Sequence, residues 1–268
     1  MSSTVAKALS LLEYFSEEEP ELGLSELTRR AGINKASVYR LLTSLTDAGL
    51  LEQKEGTRAY SLGAGVLRLA QIREATSPIA SIVSPALEQL ANNLGETAHA
   101  SIISGPALAT IGICESTRST RVSLIAGEIL PLHSTASGVA VLAFGSQALR
   151  DRTLALPLKS QTIYTMTDPE EVRESIAIVQ RQGYATSEEE NEEDVYGIAV
   201  PFFDQSGMAR GALAVATPCH RMTDSLRQQI VTSLWQEADA VSHAIGGHPS
   251  RMFSQAIAQT VERMGAKT

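Results

Sequence analysis

The sequence has only two cysteines, Cys114 and Cys219. They cannot make a disulfide framework, so a reducing cytoplasm is the expected home. No apolar run is long enough to span a bilayer and the N-terminus carries no signal-peptide pattern, so no membrane partner is expected. Basic side chains are few: 22 Lys and Arg face 30 Asp and Glu, a net charge of -8, which is not the profile of a generally basic nucleic-acid binder. The GxSxG nucleophile elbow, the Walker loop, and the HxxxH and CxxC metal spacings are all absent. There is no low-complexity tract and no repeat of solenoid period. A length of 268 residues suggests two domains, each with its own core.

Within this acidic chain, residues 24–62 read as a short helix, a three-residue turn, a second helix and a β-hairpin, the order of a winged helix-turn-helix. Val5 to Ser16 places Val5, Ala8, Leu9, Leu12 and Phe15 on one stripe of a first helix. Ser25 to Ala31 forms the supporting helix, and Gly32-Ile33-Asn34 the turn. In the next helix Val38, Leu41, Leu42 and Leu45 form a buried stripe, while Ala36, Arg40, Thr43 and Asp47 face away, flanked by Ser37, Tyr39 and Ser44. Asn34 is the expected N-cap and Gly49 the stop. Leu50–Gln53 and Arg58–Leu62 read as strands about Glu55-Gly56, with Lys54 and Arg58 at the tip.

Residues 27–60 hold six basic side chains (Arg29, Arg30, Lys35, Arg40, Lys54, Arg58) against three acidic ones (Asp47, Glu52, Glu55), a local balance of +3. The expected DNA contacts are therefore Ser37, Tyr39 and Arg40 on bases or nearby backbone, and Lys35, Lys54 and Arg58 on phosphates. The EEEPE stretch at 17–21 reads as a solvated loop. Helical periodicity of this kind also suits a protein-binding module, so an interaction protein that does not touch DNA stands as another reading.

Gly63 to Arg73 reads as a helix interrupted by Thr76, Ser77 and Pro78, and Pro85 to Leu94 as a second. Gly63-Ala64-Gly65 imitates a dinucleotide fingerprint, but Arg68 occupies its third glycine position. Beyond Gly95, Ala98–Ser104 and Leu108–Glu115 read as a hairpin and Arg121–Ile125 as a strand. Ser134–Phe144 reads as a helix capped by Ser134, with the amides of Thr135 to Gly138 left free. A helix from Asp168 to Gln182, a hairpin of Val195–Phe203 with Met208–Ala216, and a long helix Thr223–Ile245 complete an α+β sheet domain with a cavity on one face. Met252, Phe253, Ile257, Val261 and Met264 form an apolar stripe in the tail, expected to pack on its own domain.

Five blocks in order resemble IclR-type bacterial transcription regulators across nearly the whole chain: VAKALSLLEYF, GINKASVYRLLTSLTDAGLLE, LPLHSTASGVAVLAF, RQGYATSEEEN and IAVPFFDQSGMARGALAVATPCHR. The resemblance implies an N-terminal winged helix-turn-helix (1–62), a linker helix (63–78), a GAF-like α/β effector domain (79–246) and a helical tail (247–268). It implies a repressor of a catabolic operon that binds a pseudo-palindromic operator in double-stranded DNA as a homodimer assembling to a homotetramer. A small-molecule effector controls it, and no cofactor is called for. An activator of the same family and a metabolite hydrolase built on the C-terminal cavity are the alternatives.

Carried across residue by residue, the family's effector positions fall on Val122, Leu124, Ala136, Ser137, Gly138, Ser187, Val195, Gly197, Ala214 and Ala216. Members that bind small keto acids place an acidic residue, a cysteine and two serines where this chain has Ser187, Gly197, Ala214 and Ala216, and a lysine at Val139. A roomier, less polar pocket is expected, suited to an aromatic acid, lactone product or semialdehyde. The EEENEED run at 188–194 with His99, His133, His220 or Cys219 invites a metal, yet lacks ligand spacing and reads as a solvated loop with Glu188 on the pocket rim.

Overall fold

The computed structural model describes residues 4–16, 18–76 and 78–265, with the side chains of Glu74 and Met264 outside that set. Glu17 of the acidic stretch, Ser77 of the expected linker break, the side chain of Met264 in the tail stripe, and residues 1–3 and 266–268 lie outside the described residues. The chain divides into two compact units between Pro78 and Ile79.

In the N-terminal unit, Leu11 is fully buried, whereas Val5 is 67% and Leu9 49% exposed. Of the expected stripe, Ala8, Leu12 and Phe15 pack on the core and Val5 and Leu9 do not. Helix α1 (Thr4–Ser10) gives way to a 3-10 turn at Leu12–Tyr14, and tighter winding rotates the apolar face onto Leu11. Helix α2 (Leu24–Ala31) buries Leu27 and ends at Gly32, whose φ of 64° suits a residue without Cβ. Helix α3 (Lys35–Asp47) follows and buries Val38, Leu42 and Leu45. These side chains join Leu11, Leu22, Leu51 and Tyr60 in one core, with Leu41 partly buried against it.

Strands β1 (Leu51–Gln53) and β2 (Tyr60–Leu62) pair antiparallel. Leu22 adds a bridge to Tyr60 through two backbone bonds of 2.9 Å, which the sequence reading missed. Arg58 is not in a strand. It sits in the turn at φ 57°, and its amide donates to the Lys54 carbonyl. Helix α4 (Ala64–Thr76) leaves Leu67, Leu69 and Ile72 at least half exposed. Gly63-Ala64-Gly65 is a packing device: a Cβ on Gly63 or Gly65 would stand 2.5 Å from the Gly49 carbonyl oxygen.

The C-terminal unit begins with α5 (Ile79–Leu94), six residues before the expected start at Pro85. Pro85 lies inside the helix, which persists because Ile79, Val83, Ala86, Leu87, Leu90 and Leu94 bury a continuous face. Then come β3 (Thr97–Ser104), β4 (Ala107–Cys114), β5 (Ile129–Leu130), α6 (Ala136–Phe144), α7 (Gln147–Leu154), α8 (Pro169–Gln182), β6 (Ala185–Glu188), β7 (Val195–Phe203), β8 (Ala209–Pro218), α9 (Asp224–Ala244) and α10 (Arg251–Gly265). The strands form an antiparallel sheet of order β5-β4-β3-β8-β7-β6. Helices α5 and α9 pack on it, and α6 packs on β7 and β8 and carries α8.

Residues 121–125 are not the expected strand, because the β4 edge is taken by Ile129–Leu130. Helix α7 and strand β6 were not anticipated. Tail helix α10 buries Phe253 and Ile257 on its own unit, with the Phe253 ring 5.2 Å from Phe144 and 4.8 Å from Phe203. Met252 stays 49% exposed. Among the described residues no helix is long and apolar enough to cross a membrane.

Candidate DNA-reading helix and effector cavity

The Asn34 side chain caps α3 by accepting the Ser37 amide at 2.9 Å. Ala36, Tyr39, Arg40, Thr43, Ser44 and Asp47 are exposed on the side away from the core, and Ser37 is half-buried. The Thr43 and Ser44 hydroxyls turn back onto the Tyr39 and Arg40 carbonyls. That leaves Tyr39 and Arg40 as the longest side chains on the free face.

The six basic residues separate into two sets. Arg29 and Arg30 pair with Glu26, and Arg30 also forks onto Glu19 at 2.7 and 2.9 Å. Hydrogen bonds from these two guanidinium groups hold Glu26 down at about 2. Lys54 is engaged by Glu21, so it is not the free phosphate cation the sequence suggested. Lys35, Arg40 and Arg58 make no ion pair among the described residues, and the Arg40 guanidinium reaches Ser37 Oγ at 3.4 Å. A groove between α1 and α3 is lined by Lys7, Asn34, Ser37, Arg40 and Ser44. Sequence reasoning missed Lys7, whose basic charge beside an exposed helix face was the available signal.

In the C-terminal unit a cavity with about 60 Å³ of room for water-sized molecules lies between the sheet and the start of α6. Val122, Leu124, Ala136, Ser137, Ser187, Val195, Gly197, Ala214 and Ala216 line it, so nine of the ten expected positions come together. Gly138 does not: its amide is bound by Thr135 Oγ1 at 3.0 Å, and a Cβ there would sit 2.4 Å from the Leu132 carbonyl oxygen.

The cap of α6 is Thr135 rather than Ser134. Thr135 Oγ1 also donates to the Pro131 carbonyl, while Ser134 Oγ turns to Asn191 Oδ1 at 3.3 Å. Ser187 Oγ donates to the Ser134 carbonyl at 3.0 Å and ties β6 to the entry of α6. Gly197 keeps the floor shallow, since a Cβ there would lie 3.4 Å from the Ala136 methyl group.

The irregular wall at 121–125 is held without a strand partner. Thr97 Oγ1 donates to the Val122 carbonyl at 2.7 Å. Arg221 forks onto buried Glu96 with two 2.8 Å bonds and donates to the Thr120 carbonyl, and Arg118 approaches the same carboxylate at 3.3 Å.

His99, Leu130, Thr135, Asn191 and Glu192 also line the cavity and were not anticipated as effector contacts. Alternation along β3 was the available signal for His99: Thr97, His99 and Ser101 share one face and oppose Ala216, Ala214 and Ala212 of β8. Burial pushes the His99 imidazole down to about 4, so the ring is neutral at cellular pH. Among the described residues no lysine or arginine lines the cavity. Glu188, expected at the rim, is exposed outside the lining, and Asn191 and Glu192 take that place. Burial raises the neighbouring Glu190 carboxyl to about 7.

His133 is structural, its Nε2 lying 3.0 Å from the Lys159 carbonyl oxygen. Burial raises both cysteine thiols, and for Cys219 the nearby Glu189, Glu188 and Asp194 raise it further, so neither is an activated nucleophile. Among the described residues no three His, Cys, Asp or Glu side chains gather to hold a metal.

Comparison with known proteins matches both units. The IclR helix-turn-helix domain model matches residues 4–55, and the model of the bacterial transcriptional regulator IclR C-terminal domain matches residues 74–243. A crystal structure of a putative IclR transcriptional regulator from Silicibacter sp. TM1040 is 44% identical, covering 94% of this chain and 99% of that one at a TM-score of 0.83. The Pca regulon regulatory protein of Pseudomonas putida is 29% identical over 248 residues, 91% of this chain and 84% of that protein. An IclR homologue from Microbacterium hydrocarbonoxydans, solved with 4-hydroxybenzoate, shares the fold at 22% identity and a TM-score of 0.76, covering 91% of this chain and 99% of its own.

Proposed function

The chain belongs to the IclR family of bacterial transcriptional regulators, and on that basis we propose that it represses a catabolic operon under the control of a small organic effector. The family is one of regulators rather than enzymes, pairing a DNA-binding helix-turn-helix with a ligand-binding C-terminal domain. The finer reading rests chiefly on one observation: a capped helix that leaves Tyr39 and Arg40 exposed, with the Arg40 charge unpaired among the described residues.

In this reading Ser37, Tyr39 and Arg40 meet base edges or nearby backbone in the major groove, and Lys35 and Arg58 meet phosphates. Lys54 contributes less, because Glu21 already matches its charge. Two protomers place two copies of α3 in successive grooves of a pseudo-palindromic operator. The exposed apolar side chains Leu67, Leu69 and Ile72 of α4 supply a seam for the homodimer, and two dimers form the tetramer.

The effector is an aromatic acid, lactone product or semialdehyde. Support comes from the small apolar floor of Gly197, Ala214 and Ala216. The ligand of the Microbacterium homologue makes 4-hydroxybenzoate the first molecule to try. Effector binding shifts operator affinity by no more than its differential affinity for the two states.

A gel shift on the chain's own upstream region at low salt tests the reading. Specific binding that weakens in Arg40→Ala supports it. A reporter that falls when the regulator is deleted would show activation instead.

A further inference from the structure

The cavity's hydrogen-bonding groups are unevenly committed. Thr135 Oγ1 is used twice, Ser187 Oγ donates to the Ser134 carbonyl, and Asn191 Oδ1 accepts from Ser134. At the opposite side His99, only 8% exposed, has no partner for Nδ1 among the described residues, and its Nε2 reaches Ser137 Oγ at 3.5 Å, the outer limit of a hydrogen bond. Ser101 Oγ, two residues along the same face of β3, is buried and unpartnered as well. Unspent polar capacity inside a core costs stability unless something uses it.

The sheet register adds a dimension. His99 lies on β3 and Ser187 on β6, with β8 and β7 between them. Three strand spacings of about 4.8 Å set these two walls roughly 14 Å apart. Alanine and glycine on the intervening strands leave room over the floor.

We propose that His99, with Ser137 Oγ beside it, reads an uncharged oxygen of the effector, a hydroxyl or carbonyl, at the β3 end of the cavity. This rests on the reading of the cavity as a site for aromatic or cyclic organic effectors. A neutral imidazole offers one donor and one acceptor, so either tautomer satisfies a hydroxyl. An anion at that end would find no cation on the wall, and burial opposes charging the ring. His99 is thus a specificity residue that separates an oxygenated effector from its deoxy analogue.

Isothermal titration of the full chain with two matched pairs tests this: 4-hydroxybenzoate against benzoate, and 4-hydroxybenzaldehyde against benzaldehyde. The expected result is about tenfold or greater preference for the hydroxylated member of a pair that binds. The preference falls to within about twofold in His99→Leu and partly returns in His99→Gln, which keeps both hydrogen-bonding atoms. Equal affinity within a pair in the unmutated protein, or a preference that survives in both variants, overturns the role of His99 while leaving the cavity as the effector site. No binding of any of the four at millimolar concentration overturns the aromatic effector class, and this inference with it.

Discussion

Asn34 Oδ1 accepts the Ser37 amide N–H at 2.9 Å, and that bond sets the first turn of the helix from which Lys35, Ser37 and Arg40 project. Replacing the cap by alanine removes about 1 kcal/mol from this turn. Asn34→Ala is expected to speed hydrogen exchange at the Ser37 amide about fivefold, a conversion of that energy, and to weaken operator binding. Asn34→Asp should keep both near their starting values.

Gly63 and Gly49 touch backbone to backbone where α4 leaves the hairpin. A Cβ at residue 63 would lie 2.5 Å from the Gly49 carbonyl oxygen and 3.0 Å from that of Leu51, and neither backbone atom can swing aside as a flexible side chain would. Gly63→Ala should destabilise the N-terminal unit by about 1–3 kcal/mol, the usual cost of overpacking, read by chemical denaturation.

Glu21 holds the Lys54 ammonium, whereas Lys35 and Arg58 have no acidic partner among the described residues. Operator affinity against salt concentration should separate them. Lys35→Ala and Arg58→Ala each lower the log–log slope by about 1, and Lys54→Ala lowers it by less. Glu21→Gln, which releases the ammonium, should raise affinity at low salt.

The helix-turn-helix was legible because each of its signals is local: Asn34 before an apolar stripe, Gly32 at a left-handed turn, a hairpin beside them. Nine of the residues that line the cavity were legible through the family resemblance. What failed depended on competition between neighbours. Ser134 and Thr135 are both cap residues, and Asn191, distant in sequence, draws Ser134 away. Residues 121–125 alternate like a strand, but Ile129–Leu130 take the edge they would need. Pro85 imitates a helix start inside a helix whose buried face runs through it. His99 carries no motif. Its importance rests on the alanines that oppose it on another strand.

Glu190 is partly buried, with Oε2 unpartnered among the described residues, and desolvation raises its carboxyl to about 7 against the opposing pull of a hydrogen bond from the Glu188 backbone. A raised folded-state value means the folded chain holds a proton that the unfolded chain releases near 4.5. The stability from that proton is complete below about 4.5 and is lost as pH rises through 7. Glu190→Gln should therefore raise the melting temperature at pH 8 and leave it nearly unchanged at pH 4.5, checked by calorimetry of the two proteins at both values.

Fluorescence anisotropy of a labelled operator fragment, titrated with and without the effector found by thermal-shift screening, tests the division of labour between the two units. Arg40→Ala should lose about tenfold or more in operator affinity yet still melt higher with effector. Ala214→Leu, which fills the cavity floor, should bind operator as the unmutated chain does and ignore effector. Operator binding untouched by Arg40→Ala, or loss of both responses together in either variant, would contradict an exposed reading helix governed by a separate cavity.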